Sequence, residues 1–66
     1  MALNADRERW AEALAIERQH GAGAPAFIAE RIGALALSGD MAGLERFRQI
    51  AARIDQLREP RHFLLA

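Results

Sequence analysis

Cysteine is absent from these 66 residues, and so are lysine, valine, threonine and tyrosine. Each absence excludes something. Without cysteine there is no disulfide staple and no thiolate metal site, the usual supports of small secreted domains. Without valine, threonine and tyrosine, strand propensity is poor, and alanine, leucine, arginine and glutamate dominate instead. No charge of one sign prevails: nine acids balance nine arginines, so no global field draws the chain to nucleic acid or an anionic membrane. No apolar run approaches the roughly 18 residues of a membrane span. The N-terminus lacks the basic-then-apolar order of a signal peptide, and the expected compartment is the cytoplasm.

What is present reads as all-α: a three-helix bundle in one domain, residues 1–66, with short Gly-containing turns and an apolar C-terminal tail. The expected helices are about 5–20, 25–38 and 41–59, with the tail at 60–66. Asn4 is placed to cap the first helix, and Asp6 and Glu8 to complement its dipole. Trp10, Ala13 and Leu14 share one face, flanked by Ala11 and Ile16, and Gly21 supplies a left-handed terminus. Pro25 suits the first position of the second helix, where no N–H is needed. That helix is apolar over most of its circumference, through Phe27, Ile28, Ile32 and Leu35 on one stripe and Ala29, Gly33 and Ala36 on another. It is therefore expected at the centre. A glycine at position 33 costs about 1 kcal/mol against alanine, which close approach of a neighbouring backbone would offset.

Ser38-Gly39-Asp40 ends one helix and caps the next. The third helix carries Leu44, Phe47, Ile50, Ala51, Ile54 and Leu57 at bundle spacing, and Pro60 stops it. Trp10 and Phe47 are the expected core anchors.

The run Glu17-Arg18-Gln19-His20-Gly21, the segments Phe27 to Gly33 and Leu35 to Asp40, and Ile50 to Leu57, together with Trp10 and Gly43, resemble a family of short uncharacterised helical proteins of alphaproteobacteria, sphingomonads especially. The resemblance covers about three quarters of the chain. Position 47 is often aromatic there, as Phe47 is; position 54 is often tyrosine, from which Ile54 departs. The resemblance implies a helical fold and brings no activity.

Three constellations bear on function. Glu17 and His20 form Glu-x-x-His, the spacing by which carboxylate bundles present two metal ligands, and Glu30 could add a third in a dimer. The ordinary alternative is an ion pair between Glu17 and Arg31 or Arg53, with His20 favoured by the helix dipole. No metal and no cofactor is the expectation. The third helix and tail carry Arg46, Arg48, Arg58 and Arg61, a candidate phosphate-binding set in which Arg48 could pair with Glu45 and Arg58 with Asp55, leaving Arg46 and Arg61 free. A helix-turn-helix does not fit, because Gly39 as the turn glycine puts Glu45 at a buried aliphatic position. Catalysis is not expected: Ser38 is the lone serine, held in a turn, and no nucleophile stands beside a base.

Apolar surface is the remaining resource. A chain this short buries only about 60% of its extended surface, and its single core rarely supplies more than about 3–5 kcal/mol. Leu37 and Met41, with Phe63, Leu64 and Leu65 of the tail, are the residues expected to remain for docking; the alternative is that the tail folds back and caps the bundle. The sequence thus predicts a non-enzymatic interaction or regulatory protein, a homodimer docking through an apolar helix face, whose partner is itself or another protein. Nucleic-acid association is the alternative, and no membrane is expected.

Overall fold

A computed structural model describes residues 2–58, and these are helical almost throughout. Helix α1 spans Ala2–His20, a 3-10 turn follows at Gly21–Gly23, α2 spans Ala24–Ser38 and α3 spans Met41–Leu57. The 3-10 turn abuts α1 and α2 without a break, so the first connection is itself helical and residues 2–38 form one bent helical run. Two short-range devices make the bends. Gly21 and Gly39 have φ of +53° and +79°, in the left-handed region that side chains disfavour. At the second bend the N–H of Gly39 bonds to the carbonyl of Ala36 and that of Asp40 to Leu35, closing α2. The Asp40 carboxylate then accepts from the N–H of Gly43 at 2.9 Å and opens α3.

The first helix begins earlier than expected. Asn4 lies inside α1 rather than capping it, since Ala2 and Leu3 are strong helix formers that let the helix run on. Asp6 is consequently beyond the first turn, and it serves a tertiary contact instead, an ion pair with Arg53. Pro25 stands at the second position of α2, which begins at Ala24.

The centre of the fold is α3, not α2. Helix α3 packs against both others, whereas α1 and α2 meet mainly near their junction. The alternation of charge and aliphatic side chains along α3 gives it one apolar stripe and two arginine-bearing flanks, which lets it serve two neighbours at once. Apolar circumference placed α2 at the centre; in the fold much of that circumference faces outward. The buried set is small: Ala13, Ala24, Ile28, Ile50 and Ile54, with Ile16, Phe27, Ile32, Phe47 and Ala51 packed around it. Trp10 and Phe47 are half-buried rather than central. Each lies beneath a guanidinium, Arg53 at 5.4 Å from the Trp10 ring centroid and Arg31 at 5.7 Å from that of Phe47. Leu14 and Leu57, both expected to face inward, are 42% and 41% exposed.

The α1–α3 crossing can be read from its polar contacts. Asp6 meets Arg53, Arg9 meets Gln49 and Glu12 meets Arg46, a descending order along α3, but Glu17 then meets Arg58. Neither a parallel nor an antiparallel alignment produces that order; α1 crosses α3 obliquely.

Candidate functional site

Two surfaces stand out, one ionic and one apolar. The ionic surface is the α1–α3 seam. Arg46 donates to Glu12, Arg9 donates to Glu12 at 2.9 Å and to Gln49 at 3.0 Å, and Arg53 donates to Asp6. The Glu12 carboxyl is held below its ordinary value, first by the hydrogen bond from Arg46; the nearby charges of Arg46 and Arg9 add to this, and partial burial opposes it. The same bond raises Arg46. An opening of about 350 Å³ between Ala5, Asp6, Arg9, Gln49 and Arg53 lies along this seam. Its arginines already have carboxylate or amide partners, so the seam joins helices. One group is left over: Arg53 Nε is buried with no partner.

At the far end of the seam, Arg58 Nε donates to Glu17 at 2.6 Å, and Arg58 Nη2 to the Gly21 carbonyl at 2.5 Å. Glu17 therefore has an arginine partner, as its place on an apolar face requires, but that partner is Arg58 and not Arg31 or Arg53. Arg53 is engaged by Asp6 and Trp10, and Arg31 lies over Phe47. His20 stacks on Phe27 with ring centroids 4.1 Å apart. Among the described residues no three potential ligands converge, so Glu17, His20 and Glu30 are not brought together.

Two of the four arginines singled out for phosphate are committed to α1. Arg46 is held by Glu12 rather than free, and Arg58 pairs with Glu17 rather than Asp55. Arg48 is exposed, and Arg61 lies outside the described residues. Ser38 Oγ donates to the Leu35 carbonyl at 3.1 Å.

The apolar surface is the outer side of α2. Pro25, Ala29, Gly33 and Leu37 follow one another at four-residue steps and so form a single ridge, and all four are exposed. Leu37 is 92% exposed, and Met41, just past the turn, 58%. Beside the ridge runs a groove of about 200 Å³ between α2 and α3, lined by Pro25, Ile28, Ala29 and Ile32 on one side and Ala51, Ile54 and Asp55 on the other. The structure thus places Leu37 and Met41 at the surface; Phe63, Leu64 and Leu65 lie outside the described residues. The groove itself was missed in the sequence, because its walls come from two helices whose relative rotation periodicity does not give. The four-residue spacing of the ridge was readable, but Leu37 was grouped with Met41 and the tail and not with Pro25, Ala29 and Gly33.

Among the described residues no helix is long and apolar enough to cross a membrane. A protein-family model described as a family of unknown function, DUF6961, matches residues 5–62, and the chain belongs to that family. No curated protein and no solved structure matches the chain.

Proposed function

We propose that this member of the family is a small non-enzymatic interaction protein, a cytoplasmic three-helix bundle that docks on protein through the apolar outer face of α2. The observation that carries this reading is the near-complete exposure of Leu37 at the end of an uncharged ridge. A leucine so exposed, at one end of an uncharged ridge whose other end walls an apolar groove, marks a recognition surface more than a scattered surface residue. Met41 extends the same surface around the turn. The groove supports a protein rather than a small ligand as occupant, since pockets for organic ligands run to about 300–1,000 Å³ and this one is smaller. The arginine-based alternative has less support, because Arg46 and Arg58 serve α1.

Affinity capture with the tagged chain tests the proposal, using host extract in one arm and an untagged second copy in the other. Expected is retention of at least one protein by the wild type and its loss with Leu37→Asp. If nothing is retained in a Leu37-dependent manner in either arm, the docking reading is wrong.

A further inference from the structure

We infer that the groove between α2 and α3 is filled from within the chain, by the ring of Phe63, which belongs to a segment outside the described residues. This goes beyond docking at Leu37 and does not rest on it. The first support is where the groove sits. Helices α2 and α3 are joined through Gly39 and Asp40, so the start of α2 lies beside the end of α3. The groove is at that open end: Ile28 and Ile32 line one wall, Ala51 and Ile54 the other, with the exposed Asp55 beside them. Leu37 and Met41 are at the opposite end, next to the turn.

The second support is reach. The described residues end at Arg58, about one turn beyond Ile54 of the groove wall. Phe63 follows five residues later, a span of up to about 17 Å. Returning from Arg58 to the level of Ile54 or Ala51 takes only about 6–10 Å along the helix axis. Pro60 favours the reversal, since it lacks the N–H that would continue α3 and disfavours helical backbone at Glu59. A segment on so short a linker meets the groove at an effective concentration of about millimolar, which a separate molecule would have to match.

Size and charge are the third support. The groove holds about 200 Å³, and an apolar cavity of about 150 Å³ accepts a benzene ring, so one phenyl ring fits where a drug-sized ligand does not. Asp55 is the charged side chain among the described lining residues, and Arg58, its expected partner, is taken by Glu17. Arg61, two residues before Phe63, brings a guanidinium to that carboxylate as the ring enters. The chain thus closes its own groove and leaves the Leu37 end of α2 for a partner.

Nuclear Overhauser contacts in the full wild-type chain test this, with isoleucine methyls and phenylalanine rings labelled. Contacts are expected from the Phe63 ring to the methyls of Ile28, Ile32 and Ile54. They should persist on dilution and be absent between labelled and unlabelled copies in a mixed sample. Absence of these contacts, or their appearance only between copies, overturns the inference, and the second result would make a neighbouring copy the occupant. The cysteine-free background gives an independent measurement. Ala29→Cys with Leu64→Cys should close a disulfide within one chain at least tenfold faster than Ala42→Cys with Leu64→Cys, Ala42 being exposed at the turn end of α3. Equal rates overturn it too. Leu37→Asp should leave the Phe63 contacts in place even where it abolishes capture of a partner, so either reading can fail without the other.

Discussion

Arg58 and Glu17 meet at 2.6 Å, and the same guanidinium donates to the carbonyl of Gly21 at 2.5 Å. One side chain at the end of α3 therefore fastens both the last turn of α1 and the bend that follows it. The carbonyl it reaches belongs to a left-handed glycine at the start of the 3-10 turn and also accepts the N–H of Ala24, so Arg58 adds a second, charge-assisted bond at the bend.

Removing this clasp should cost more than an ordinary surface pair. Arg58→Ala is expected to lower stability by about 1–2 kcal/mol, since a charge-assisted bond to a backbone carbonyl is lost along with the ion pair. Hydrogen exchange should accelerate at the α1–α2 bend and the end of α3 first. Arg58→Lys should recover only part, because an ammonium lacks the fork that reaches both acceptors. Equal loss across the whole chain, with no local signature, would contradict the clasp.

The core rests on two large side chains buried almost completely, Ile50 and Ile54. Ile50→Ala should cost about 2–4 kcal/mol, most or all of what so small a core can supply, and the chain should unfold or lose cooperativity in thermal melts. Ile50→Val should cost about 1 kcal/mol and keep a cooperative transition. Leu57→Ala, at a position 41% exposed, should be milder than Ile50→Ala despite sharing its sequence pattern.

The turn between α2 and α3 separates two glycines by mechanism. A Cβ at Gly43 would stand 2.7 Å from Asp40 Oδ2 and 3.0 Å from Leu35 Cδ2, displacing the carboxylate that caps α3. Gly43→Ala should therefore fail to give the stabilisation of about 1 kcal/mol that alanine normally brings to a helix. Asp40→Ala should cost about 1 kcal/mol, and in the Asp40→Ala background Gly43→Ala should become stabilising. Denaturant midpoints of the four chains measure this coupling directly.

Acid should weaken the α1–α3 seam. Glu12 titrates below its ordinary value in the folded chain, mainly because Arg46 donates to its charged form. Its stabilisation is fully present above the ordinary glutamate range and is lost as pH falls through the lowered folded value. Urea midpoints should therefore separate the wild type from Glu12→Gln at neutral pH and converge in acid. A gap that stays constant down to strongly acidic pH would assign the stabilisation to something other than the Glu12 charge.

Helix identity, the turn at Ser38-Gly39-Asp40, the end of α2 and the start of α3 were legible because their causes lie within a few residues, whereas α3 ends at Leu57 and not at the expected 59. Asp40 caps from three positions away, and Gly39 closes α2 with its own backbone. The need for an arginine beside Glu17 was legible too, since a carboxylate on an apolar face must be paired. Its identity was not. Arg31 and Arg53 looked suitable and Arg58 looked paired with Asp55, whereas Arg58 takes Glu17, a choice set by how α1 lies across α3. Likewise Arg46 looked free for phosphate until α1 was laid across α3 and brought Glu12 to it.

By itself, the sequence determined an all-helical chain, where it bends, and that its apolar residues outnumber the sites a small core offers. Local hydrogen bonding and backbone sterics decide such matters, and both are written in neighbouring residues. Only the tertiary structure decided that α3 is central, that Arg46 and Arg58 serve α1, and that an apolar ridge ending in Leu37 is left facing outward. Periodicity gives each helix a face but not the rotation at which faces meet, and that rotation is fixed by the packing of Ile28, Ile50 and Ile54 together.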